Sequence, residues 1–371
     1  MSGFQRPGSL LLLLLLCASL GLEGACARPR SRWLGLDTAQ YHLETGLKLL
    51  AADKPAHAER ELALAIYYDP RCGLAYCGLC VACAQEGKFD EARGHLNMAR
   101  RLAGDGPTKC QVQVAHLRLL LAERPAGWLD SARETYAQAQ ASRAQNNSQD
   151  AADQSPAYFM ALCYKAALEL ERAEELLARV VAAGGTYSRE AAQEWRLVER
   201  ARRCPAQPLL GRELTTRSSL SRAELAALLR TELGLGEPWP TGRPEPEDLA
   251  AHKMKGQVLP ILMLNLEPLV VFADGTFHPD TPITRVEFAR LLQSLLEGWN
   301  AGRMNWREPA RSPYPDVLPE TTGYDAITLC GSRGLLEVRD LLTGEMEPGG
   351  LLAGADALLA IGRLREQRGA R

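Results

Sequence analysis

The sequence holds none of the local patterns that announce an enzyme. It has no His-Glu-x-x-His pair for a zinc ion, no G-x-S-x-G elbow, no P-loop and no G-x-G-x-x-G turn. Its six histidines stand apart, at 42, 57, 95, 116, 252 and 278. Asp130, Glu134, Glu171 and Glu175 fall where water would solvate a helix face. The expectation is therefore a non-enzyme with no cofactor and no metal. A charge bias is also missing. The 43 Lys and Arg offset 45 Asp and Glu, leaving a formal charge of −2 and no electrostatic reason to expect nucleic acid. Aromatics make up only 6%, as in helices packed through small side chains. After the N-terminal leader no apolar run reaches the roughly 20 residues that span a bilayer. Residues 258–269 come nearest, but Pro260 and Pro268 interrupt them, and they are expected to form a buried helix.

What the chain does have begins with that leader. Residues 1–27 read as a secretory signal: Arg6 gives the positive start, Leu10 to Leu16 the apolar core, and Ala25-Cys26-Ala27 an A-x-A-type cleavage site. Cys26 opens a second reading, lipidation, although Glu23 stands where a lipobox wants Leu. Both readings place the protein outside the cytoplasm, in the periplasm, the envelope or on the outer surface. Without the leader, eight cysteines remain, at 72, 77, 80, 83, 110, 163, 204 and 330. Export permits disulfides, and Cys72 with Cys110, each before a first helix, is the first pair to test. Cys77, Cys80 and Cys83 follow one another at i, i+3 and i+6. Spread along about 9 Å of one helix, they suit packing better than a metal site.

Residues 38–104 contain a repeat. Lys54, Ala58, Leu62 and Ala65 recur as Lys88, Ala92, Leu96 and Ala99, each 34 residues later. Gly46 and Cys80 stand at the same offset in the preceding helices, and Asp69-Pro70 closes the first copy. Two further helix pairs follow, with Ala132 and then Ala173 at the small position, the last stopped by Gly184-Gly185. This pattern resembles the tetratricopeptide (TPR) repeat. The resemblance implies paired helices stacked into a superhelix over residues 28–185, whose concave face binds a protein partner.

A second device recurs in the C-terminal half. Thr284 and Glu287 form a capping box, in which the N-cap hydroxyl and the N3 carboxylate satisfy each other's backbone amides; Ile283 and Phe288 flank it as a hydrophobic staple. Ser221 and Glu224, with Leu220 and Leu225, repeat the arrangement upstream. Arg222 and Arg285 then occupy one slot, 63 residues apart. A third copy places Leu352 like Ile283, but Ala353, Gly354 and Asp356 replace Thr284, Arg285 and Glu287. Asp274-Gly275 and Pro279-Asp280 mark turns before the second copy, and Gly344 to Pro348 matches Gly275 to Pro279 in spacing.

These motifs resemble the S-layer homology (SLH) repeat, with Tyr314-Pro315-Asp316-Val317 similar to its F-x-D start. The resemblance covers about residues 186–365 of an SLH-like domain spanning 186–371, and implies three repeats in a helical bundle that attaches to cell-wall polysaccharide or peptidoglycan. By the same resemblance, Arg222, Arg285 and Asp316 would be the polymer-binding residues, while Ser221, Glu224, Thr284 and Glu287 cap helices. Arg285 is expected to be exposed, and an arginine placed at Gly354 to add a contact. The whole chain is thus expected to be all-α, a TPR-type helical-hairpin superhelix followed by an SLH-like three-repeat bundle. Its expected role is non-catalytic: wall attachment through the C-terminal part and partner binding through the N-terminal part. The alternative is a periplasmic scaffold whose SLH copies are only structural.

Overall fold

The structure, a computed structural model, describes residues 38–104, 107–145, 153–204, 209–299, 312–340 and 342–369. The leader and Cys26 lie outside these residues. The protein is all-α: among the described residues the regular structure is helical, with three isolated β-bridges and one 3-10 turn at Glu247–Leu249. Among the described residues no helix is long and apolar enough to cross a membrane. The eight described cysteines are free thiols. The chain divides into two compact units, Met1–Gly104 and Asp105–Arg371. The boundary expected near residue 186 falls inside the second.

The first unit is two helical hairpins, α1 (Ala39–Ala51) with α2 (Pro55–Tyr68) and α3 (Gly73–Gln85) with α4 (Phe89–Leu102). The 34-residue register sets their packing. Ala58, Leu62, Ala65, Ala92 and Ala99 are fully buried. Leu62 lies against two glycines, since a Cβ on Gly46 or Gly78 would come within 2.6 or 2.8 Å of its side chain. Glycine there lets α1 and α3 close on α2. Helix α3 carries no charged residue and is buried on nearly every side. Helix α4 instead buries one stripe, with Asp90 and Glu91 in its first turn and Arg100 and Arg101 in its last, matching the helix dipole.

The second unit opens with two more hairpins, α5 (Pro107–Glu123) with α6 (Trp128–Gln145) and α7 (Ser155–Ala166) with α8 (Leu170–Ala183), followed by α9 (Ser188–Arg203). Ala132 and Ala173 are fully buried. Helix α9 packs on α8 and also on the last helix of the chain, so it joins the hairpins to the repeats that follow.

Those repeats use α10 (Leu209–Leu214), α11 (Arg222–Leu233), α12 (Lys255–Leu262), α13 (Arg285–Trp299), α14 (Tyr324–Ser332) and α15 (Gly354–Gly369). The helix expected over 258–269 is only the eight residues of α12. Beyond it Asn265 takes a positive φ and Leu266 and Leu269 pair in a bridge, so the apolar run is half helix and half turn. Three buried residues close a ring. The Leu220 amide donates to Leu352 O at 2.8 Å, Leu352 to Ile283 O at 2.9 Å, and Ile283 back to Leu220 O at 2.9 Å. Each stands just before a helix start, and each has both backbone groups satisfied by another repeat. The next amides follow suit: Arg222 donates to Thr281 O, Arg285 to Gly350 O and Gly354 to Arg217 O. Helix N-terminal donors that α11, α13 and α15 cannot satisfy internally are thus satisfied by a neighbouring copy. A single apolar core runs from Leu214 to Leu364.

Candidate functional site: an arginine hub and the cleft above it

Both capping boxes form. Ser221 accepts from the Glu224 amide and Glu224 from the Ser221 amide. Thr284 and Glu287 exchange the same bonds at 3.4 and 2.8 Å. Each box aims the next side chain inward, between two repeats. Arg222 is 4% exposed. Its Nε donates to Phe277 O and its Nη2 to Val270 O, both at 2.8 Å, with Phe272 and Phe277 rings 4.8 and 4.7 Å from the guanidinium. Arg285 is 2% exposed and repeats the geometry: Nε to Met346 O at 2.7 Å, Nη2 to Glu337 O at 2.6 Å. Burial lowers both guanidinium pKa values from the ordinary arginine range; nearby carboxylates, Glu287 and Asp248 for Arg222 and Asp356 for Arg285, oppose it. The exposure expected of Arg285 is therefore corrected. Backbone carbonyls of the next repeat take its donors, and the shell around them excludes water.

Asp316 is likewise engaged. Its carboxylate accepts from the Met346 amide at 2.9 Å and the Glu347 amide at 2.6 Å. Asp248 does the same for Phe277 and His278 one repeat earlier. His278 and Glu347 both take positive φ, 54° and 48°, and the clamping carboxylate holds that uncommon non-glycine conformation. The third slot is closed. A Cβ on Gly354 would sit 1.8 Å from Leu214 O, so the expectation that an arginine fits there is corrected.

Asp356, at the third copy's box position, has a different task. It is buried, and its oxygens face three guanidiniums: Arg285 Nη1 at 2.8 Å, Arg200 Nη1 at 3.3 Å and Arg339 Nη1 at 3.4 Å. Arg200, 7% exposed, also donates to Val338 O and Arg339 O. One carboxylate thus meets three positive charges, and Glu347, 3.7 Å from Arg339 Nε, adds a half-exposed carboxylate at the rim.

Above this hub lies a cleft of about 1140 Å³ between α9, residues 331–340 with Leu342, and α15. Arg196, Arg200, Arg203, Arg333, Arg339 and Arg363 line it, against Glu199, Glu337, Asp340 and Glu366, with Trp195, Leu336 and Leu342 supplying apolar surface. Glu337 is shared by Arg203 at 2.6 Å and Arg363 at 2.5 Å. Burial pushes its carboxyl up, but these hydrogen bonds outweigh burial and hold it below the ordinary range. Arg196 pairs with Asp340 at 3.3 Å. Arg333 forms no ion pair among the described residues.

Arg200, Arg339, Arg363 and Asp248 carry this arrangement, and no sequence motif singled them out. For Asp248 a signal exists: it precedes Leu249 as Asp316 precedes Val317, 68 residues on. For Arg200 there is none, because its partner Asp356 is 156 residues away. No family model, curated protein or solved structure matches this chain.

Proposed function

We propose that this chain is a non-catalytic exported envelope protein, a TPR-like hairpin array that binds a protein partner joined to an SLH-like body that attaches to an acidic cell-wall polymer. The observation that supports the polymer reading is the cleft, where six arginines face four carboxylates beside exposed Trp195. Guanidinium groups pair with carboxylates through two parallel hydrogen bonds, and an indole face suits a sugar ring's apolar side. The polymer contact is assigned to Arg196, Arg333 and Arg363, whose side chains reach solvent, rather than to Arg222 and Arg285, which are buried, or to Asp316, whose carboxylate accepts two backbone amides.

The test is sedimentation of the full chain with purified wall material. Arg196→Glu/Arg333→Glu is expected to weaken binding about 10–100-fold or more, at least the equivalent of one charge-assisted contact at roughly 1.5–3 kcal/mol. Equal sedimentation of variant and wild type overturns the cleft assignment. The burial of Arg222 and Arg285 favours a second reading, a scaffold whose three copies are only structural. Absence of sedimentation by the wild type selects it.

A further inference from the structure

The first unit brings together a group of donors that the proposed function does not use. Glu59 of α2, Cys83 of α3 and Glu91 of α4 each present one ligand atom, and these atoms all lie within 4.8 Å of one another. The repeat register puts them there. Glu59 follows Ala58 and Glu91 precedes Ala92, the two buried register positions, so both carboxylates border the helix contact that Cys83 fills. Cys83 is 0% exposed and its sulfur has no hydrogen-bond partner among the described residues. Glu59 is half-buried and Glu91 exposed, which leaves an entry path from solvent.

A thiolate with two carboxylates is a donor set for zinc-class ions. Bonds of roughly 2.0–2.3 Å at tetrahedral angles put two ligands of one ion about 3.3–3.8 Å apart, so side-chain movements of about an ångström close the site. The local charge favours a cation, since three carboxylates, Glu59, Glu86 and Glu91, stand around Cys83 with one ammonium, Lys88. Lys88 Nζ lies 3.1 Å from Glu59 and 2.6 Å from Glu86. His95, one turn beyond Glu91 on α4, is half-buried nearby. The spacing of Cys77, Cys80 and Cys83 along one helix gave no metal site. The carboxylates arrive only from the two flanking helices.

We propose that Glu59, Cys83 and Glu91 bind a zinc-class divalent cation, with the fourth position open to water and Lys88 competing for the Glu59 carboxylate. On binding, the Cys83 S–H proton passes to solvent as the metal–sulfur bond forms; no oxidant or reductant is involved.

Cobalt(II), a coloured substitute for zinc, tests this on the full chain. The expected result is a sulfur-to-cobalt charge-transfer band saturating at one ion per chain and absent in Cys83→Ser. Glu91→Gln alters an exposed residue, leaves the fold intact, and should weaken cobalt binding at least about tenfold. Lys88→Met should tighten it by removing the competitor. No thiolate band in the wild type, the same band in Cys83→Ser, or unchanged affinity in Glu91→Gln each overturns the site.

Discussion

Arg222 and Arg285 hold one backbone position in successive repeats, yet their charges are compensated differently. Each follows a capping box, and each donates Nε to the corresponding carbonyl of the next copy, Phe277 O or Met346 O. Around Arg222 the remaining contacts are a second carbonyl and two aromatic faces, with Glu287 and Asp248 near enough to act on the charge but no ion pair among the described residues. Around Arg285 there is a buried carboxylate, Asp356, which Arg200 and Arg339 also share. The repeat has kept the geometry of a guanidinium bolt between copies while changing what stabilises its charge. A buried charge needs hydrogen bonds and a counter-charge or polarisable faces, and either solution serves. The third copy dispenses with the bolt, because Leu214 O occupies the space where its side chain would begin.

The largest effect should come from forcing the third slot to resemble the others. Gly354→Arg would drive a Cβ into the Leu214 carbonyl. Because the obstacle is backbone, the cost should exceed the roughly 1–3 kcal/mol of ordinary overpacking. The expected outcome in urea titration is loss of cooperative unfolding by the three-repeat body; a variant as stable as wild type would show that the slot is open.

Next come the two bolts themselves. Arg285→Ala takes from Asp356 the nearest of its three arginines and strands two carbonyls; with Arg200 and Arg339 still facing the carboxylate, the cost should be about 3 kcal/mol, the lower end for breaking a buried ion pair. Arg222→Ala strands only carbonyls and should cost about 1.5–3 kcal/mol, as for hydrogen bonds to a charged group. Equal losses in denaturant midpoint would erase the contrast between the slots. Thr284→Ala removes one N-cap and should cost about 1 kcal/mol; an unchanged midpoint would mean that α13 does not depend on that cap.

The smallest effect concerns acid. Glu337 is held below its ordinary range by Arg203 and Arg363, so its folded pKa is depressed. The unfolded chain then takes up that proton first as pH falls through about 4.3. The stability it contributes is present above that pH and lost as pH drops through the folded value. Glu337→Gln should flatten the acid limb of a stability–pH curve; an unaltered limb would place the acid sensitivity elsewhere.

Much of the frame was legible because it is local. The 34-residue register names Ala58 and Ala92, and the small position of the two later helix pairs names Ala132 and Ala173, all fully buried; the boxes name the starts of α11 and α13. The staple residues Leu220, Ile283 and Leu352 are also the three members of the backbone ring, so a local capping signal marked the centre of the bundle. The direction of the arginines was not legible. An arginine one place after a cap reads as exposed, and only the arrival of residues 270–277 and 337–346 over it makes it buried. The hub was hidden for the same reason, since Arg200, Arg285, Arg339 and Asp356 share no motif and meet only through tertiary contact. Asp356 appeared as a weakened box residue, and its charge serves another purpose.

The central claim, one slot with two modes of compensation, is tested most directly by paired double-mutant cycles in urea. Arg285→Met with Asp356→Asn should show a coupling energy of about 1–3 kcal/mol, as for residues in one ion-pair network. Arg222→Met with Asp356→Asn should be additive within about 0.5 kcal/mol. Equal coupling in the two cycles, or none in the first, would contradict the account.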